Sequence, residues 1–165
     1  MSAVLPHYKQ GPANYQVSTL IFGGQLVQPT TLTAGTTDLT VKPGLAASVN
    51  ILGVAGGDAN VIAAQTGAAN TYGQPQIDIS VLTDYTAVYY GGVDIWVWYL
   101  TGTFVPGIKL LAAAGGAVSP AGAGPAADQV VGICTHPGGV TAAMCTQQIG
   151  GQGTAQYFLG RARIF

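Results

Sequence analysis

Short apolar runs, interrupted at close intervals by glycine and proline, dominate the chain. Runs rich in β-branched and aromatic residues and bounded by turn formers predict strands. The densest stretch lies between Val93 and Val140, where V-D-I-W-V-W-Y-L, G-I-K-L-L-A-A-A, A-V and D-Q-V-V-G-I-C-T are separated by Gly/Pro turns. Upstream, Ser18 to Thr33 predicts a strand, a glycine-marked bend and a second strand, and Asp38 to Pro43 places Leu39 and Val41 on one face. Ser48 to Ala64 predicts a hairpin about Gly56-Gly57-Asp58, residue types that suit the positive φ angles of tight turns. Ile77, Ile79 and Val81 alternate with Asp78 and Ser80, the pattern of a strand with one wet face. Downstream, Gly115-Gly116 and His136-Pro137-Gly138-Gly139 each predict a hairpin turn, and Tyr157 to Phe165 predicts a closing strand. No window of helical length carries an amphipathic stripe, so the fold class is all-β.

The run from Val93 to Leu100 is apolar on both faces: Val93, Ile95, Val97 and Tyr99 point one way, Trp96, Trp98 and Leu100 the other. An indole can bury about 150–250 Å², so the second face needs a cover, which a second sheet, a long loop or another chain could provide. The tryptophans are thus either core residues or a subunit contact. Residues 1–17 carry two prolines and no sustained periodicity, yet include Val4, Leu5, Tyr8 and Tyr15. That segment reads as an extended N-terminal arm that orders on a neighbour, or as a frayed terminus. Residues 18–165 then form one small antiparallel β-barrel or sandwich domain.

Composition narrows the function. Only 7% of the 165 residues are charged and Glu is absent, against about a quarter charged in an ordinary soluble domain. A surface so thinly guarded by charge is either uncharged polar or covered by other subunits. A net charge of −1 offers no clustered cations for nucleic acid or an acidic membrane surface. The apolar runs fall short of the roughly 20 residues a spanning helix needs, and the N-terminus lacks a secretory pattern. Synthesis and retention in the cytosol follow as the expectation.

Candidate chemistry is sparse. Cys134, His136, Cys145 and His7 contain no paired C-x-x-C unit of the kind that holds zinc. The predicted hairpin sets Thr135 against Val140 and Cys145 against Val130, a register that keeps the two cysteines apart as free thiols. Cys134 and His136 could touch, but no third group orients the imidazole or supplies an oxyanion site. Asp78, Asp84 and Asp94 could converge, although Asp84 and Asp94 sit where aspartate ordinarily satisfies backbone donors. Gly150 to Ala155 lacks the Lys-Ser/Thr of a phosphate loop. No enzyme activity and no cofactor are expected.

From Val88 to Phe165 the succession V-Y-Y-G-G-V-D-I-W-V, P-G-I-K-L-L-A-A-A-G-G-A-V, A-A-D-Q-V-V-G-I-C and G-R-A-R-I resembles the small β-barrel decoration (cement) proteins of tailed bacteriophage heads. That resemblance implies a structural virion protein on the capsid exterior, trimeric, bracing the major capsid protein, with no active site. The contact residues expected on this reading are Val4, Leu5 and Tyr8 in the arm, the aromatics Tyr89, Tyr90, Trp96 and Trp98, and Arg161 and Arg163 as a polar rim. The alternative is a head-fibre base, or a carbohydrate-binding β module whose exposed aromatics stack on sugar rings.

Overall fold

Among the described residues, ten strands close into two five-stranded β-barrels placed one after the other along the chain. The computed structural model describes residues 12–30, 40–59, 85–92, 94–122, 124–126, 129–149 and 154–165. The first barrel comprises β1 (Ala13–Val17), β2 (Leu26–Pro29), β3 (Thr40–Pro43), β4 (Gly53–Ala55) and β5 (Tyr85–Tyr89). The second comprises β6 (Asp94–Leu100), β7 (Lys109–Ala112), β8 (Val118–Pro120), β9 (Val130–Cys134) and β10 (Tyr157–Ile164). The remaining regular pieces among the described residues are 3₁₀ turns at Ala114–Gly116 and Ala142–Met144.

The two barrels repeat one another in topology and in register. In the first, β1 runs parallel to β3 with Val17 beside Val41, and antiparallel ladders follow with Pro29 opposite Val41, Leu26 opposite Val54, Val54 opposite Tyr89, and Asn14 opposite Ala87. In the second, β6 runs parallel to β8 with Tyr99 beside Val118. The corresponding antiparallel pairs are Ala112 opposite Val118, Lys109 opposite Ile133, Ile133 opposite Arg163, and Trp96 opposite Arg161. Two of the isolated bridges also correspond: Ile21 with Ala59, and Phe104 with Val140. Each lies three positions before a turn glycine, Gly24 (φ 86°) or Gly107 (φ 85°), where the left-handed backbone excludes most side chains. Those glycines donate to equivalent carbonyls, Gly24 N to Ala55 O at 2.7 Å and Gly107 N to Cys134 O at 2.8 Å.

Alternation along the strands fills the barrels. On β10, Ala162 and Ile164 are buried while Arg161 and Arg163 face out. On β6, Val97 and Tyr99 point inward, and the Tyr99 ring meets Phe104 edge to face with centroids 4.7 Å apart. Burial pushes the Tyr99 phenol far above its usual range, reinforced by the nearby Cys134 thiol. Its hydroxyl donates to the Arg161 carbonyl at 2.6 Å. Two glycines let neighbouring strands close: a Cβ at Gly53 would collide with the Tyr89 carbonyl, and one at Gly132 with the Arg163 carbonyl.

The barrels also pack on each other. Leu26 and Val54 of the first share a buried cluster with Val97, Leu110 and Ala112 of the second. Gly116 N donates to Gly44 O at 2.9 Å and Ala47 N to Ala112 O at 2.9 Å. The buried Gln25 amide spans the junction, its Nε2 donating to Gly115 O at 2.8 Å while its Oε1 accepts from Phe22 N at 2.7 Å. A buried amide satisfied at both ends fixes the relative position of the surfaces it joins.

The expected all-β barrel architecture is therefore present, with differences in detail. Among the described residues each barrel contains one parallel pair, and there are two barrels rather than one, the first of which draws in Ala13–Val17. Ala13–Val17, inside the expected arm, is strand β1, paired with both β3 and β5; Val4, Leu5 and Tyr8 lie outside the described residues. The expected hairpin about Gly56-Gly57-Asp58 does not form from β4, because both of its edges are occupied by β2 and β5. Gly56 and Gly57 are absent from the positive-φ residues. The expected strand Val140 to Cys145 is replaced by a bridge to Phe104 and a 3₁₀ turn. The Gly115-Gly116 hairpin joins β7 to β8 as expected.

Candidate functional site

The outer face of β6 and β10 carries the most distinctive exposed surface. Cross-strand pairing sets Trp96 against Arg161 and Asp94 against Arg163, and alternation points all four side chains away from the barrel interior. Arg163 Nη2 donates to Asp94 Oδ2 at 3.2 Å, and Arg161 Nη2 lies 4.0 Å from the same oxygen. The Arg163 hydrogen bond holds the Asp94 carboxyl below its ordinary range, against the opposing effect of burial. Trp96 is 52% exposed and meets His136 edge to face at 6.5 Å; His136 in turn packs edge-on against Phe158 at 5.1 Å.

Beside this face runs a groove of about 980 Å³ between the two barrels. Tyr89 at the end of β5 forms one wall, Trp96 and Leu159 the other, with Gly23, Gly24, Gly56 and Gly57 along it. Asp58 and Asp94 contribute carboxylates. Asp58 Oδ1 accepts from Gly23 N at 2.8 Å, which ties the β4–β5 connection to the β1–β2 turn.

Trp98 has a different fate from Trp96. Its indole N–H donates to the Gly23 carbonyl at 2.8 Å, its backbone N–H to the Gly24 carbonyl at 3.2 Å, and it packs with Phe22, Leu100 and Tyr157. The cover required by the apolar outer face of β6 is, at this position, the first barrel of the same chain. Trp98 is thus withdrawn from the expected subunit-contact set, whereas Tyr89, Tyr90 and Trp96 remain exposed. Arg161 and Arg163 are exposed, and both face Asp94.

No protein-family model matches the chain, and no curated protein matches it. Among solved structures, the chain is similar to the head fiber gp8.5 N base of bacteriophage phi29, with a TM-score of 0.54 and 12% sequence identity over 93% of this chain and 92% of that one. A likeness of this extent at so low an identity is a likeness of fold, and it takes in both barrels.

Four of the expected contact residues, Tyr89, Trp96, Arg161 and Arg163, come together around the groove and its bordering face. Tyr90 is exposed beyond the end of β5 but does not line the groove. Sequence reasoning missed Asn14, Asp58 and Tyr85, which line a second hollow of about 680 Å³. The G-G-D triplet was the available signal for Asp58, and it reads in isolation as turn chemistry alone.

Proposed function

We propose that this protein is a structural component of a tailed-phage virion, seated on the outside of the head. The observation that carries the reading is the fold likeness, across both barrels, to a phage head-fibre base. Composition supports it independently, since a chain with 7% charged residues suits life in an assembly. The Trp96, Arg161 and Arg163 face is the surface we assign to the head contact. It combines an aromatic, which contributes apolar area, with arginines, and both types are enriched at protein interfaces.

Two forms of this role differ in detail. A capsid decoration protein, trimeric and stabilising the shell, is the form that the motifs of the C-terminal half support; a head-fibre base is the form that the two-barrel fold favours. In either, contacts through several copies strengthen attachment without a large single interface. The chain has no catalytic part in this reading, and its partners are the major capsid protein and its own copies. Light scattering of the purified chain tests the trimer. Imaging of the native particle distinguishes a studded shell from fibres rising from isolated seats.

A further inference from the structure

We propose that the cleft running from Asn14 and Tyr85, past Tyr89, to Trp96 binds a neutral oligosaccharide. This does not rest on the head-attachment reading. The two hollows adjoin at Gly56, Gly57 and Asp58, which line both. Three aromatic side chains are spaced along the cleft, and all are accessible: Tyr85 is 55% exposed, Tyr89 36% and Trp96 52%. A side chain at Gly56 would strike the Tyr89 ring, so glycine there allows the ring to lie along the wall.

The polar groups between the rings match the same ligand class. Asn14, Asp58 and Asp94 offer amide and carboxylate partners, which suit sugar hydroxyls, while aromatic faces suit the C–H faces of pyranose rings. Among the described residues no Lys or Arg lines either hollow, and the arginines that border the groove, Arg161 and Arg163, both turn to Asp94. Both barrels are closed, so the described strands offer no free edge for an extended peptide to join.

The internal repeat supplies a second observation. Asn14 and Trp96 hold the same ladder position in their barrels, as do Ala87 and Arg161. Gly56 N donates to Ala87 O at 2.7 Å and Thr135 N to Arg161 O at 3.2 Å, which sets Gly57 in correspondence with His136. In the second barrel this spot is occupied by the Trp96 indole against His136. In the first, Asn14 and Gly57 leave it open among the described residues, as the smaller hollow.

The test is titration of the full chain with tetrasaccharides of neutral hexose and of N-acetylated hexosamine, followed by tryptophan fluorescence and amide NMR shifts. Binding of one of them is expected, with Tyr89→Ala weakening it about tenfold or more. Asn14→Trp, which installs the second barrel's occupant, is expected to abolish binding with the circular dichroism spectrum retained. If Asn14→Trp does not fold, Tyr89→Ala decides. Absence of binding of both tetrasaccharides at about 10 mM, or wild-type affinity in either folded variant, would overturn the proposal. Sedimentation with phage heads, run in parallel on the same variants, reports separately on the attachment reading.

Discussion

Trp96 stands opposite Arg161 across the β6–β10 ladder, and its counterpart in the first barrel, Asn14, stands opposite Ala87. One framework therefore presents a large aromatic with a cation at one end and two small residues at the other. Because Trp96 is half exposed, its replacement by Ser should change stability by about 1 kcal/mol or less. The same change should lower attachment to phage heads markedly. Thermal unfolding and head co-sedimentation of that variant check the two halves of this expectation.

Trp98, one strand position further along the same face, should behave in the opposite way. Trp98→Phe retains a ring but loses the bond to the Gly23 carbonyl, at a cost of about 1–2 kcal/mol. Trp98→Ala also empties the junction between the barrels and should cost about 3 kcal/mol. Chemical denaturation measures both, and equal effects for Trp96 and Trp98 would contradict the division of roles.

The glycines at the strand crossings give a sharper prediction. Gly53→Ala and Gly132→Ala each place a methyl against a backbone carbonyl of the adjoining strand, which has no flexible end to yield. Each should cost at least about 3 kcal/mol. Gly122→Ala, where a Cβ meets open space, should be close to neutral. Comparison of the three unfolding curves is the check.

Asp94 predicts a pH dependence. Its carboxyl titrates below the unfolded value because Arg163 donates a hydrogen bond to it. The stabilising effect is then fully present above the ordinary aspartate range near pH 4 and is lost as pH falls through the lowered folded value. Side-chain carbon NMR should show Asp94 titrating low in the native protein and moving upward in Arg163→Ala. An unmoved Asp94 in that variant would remove Arg163 as the cause.

Strand positions were largely legible because period-two alternation and Gly/Pro breaks are local properties. The β7–β8 hairpin about Gly115-Gly116 and the closing strand β10 are cases in point. Pairing partners were less so. His136 and Gly139 do make a turn bond, Gly139 N to His136 O at 2.9 Å, but Val140 then pairs with Phe104, a choice set by barrel closure and not by the turn. The repeat was hidden for a related reason. What the barrels share is ladder register, which constrains only positions such as Gly24 and Gly107, Gly53 and Gly132, or Pro43 and Pro120, and leaves the other side chains free to diverge. The site was half legible: exposed aromatics and arginines near the closing strands stood out, whereas Asn14, Asp58 and Tyr85 meet only after three distant segments converge.

Attachment to the phage head is tested most directly by mixing the purified chain with head particles that lack it and pelleting the particles. We expect the chain to pellet with the heads at a saturable, fixed ratio of copies, and a variant carrying Trp96→Ser with Arg161→Ser to remain largely in the supernatant. Wild-type chain that stays in the supernatant at every concentration would contradict the account.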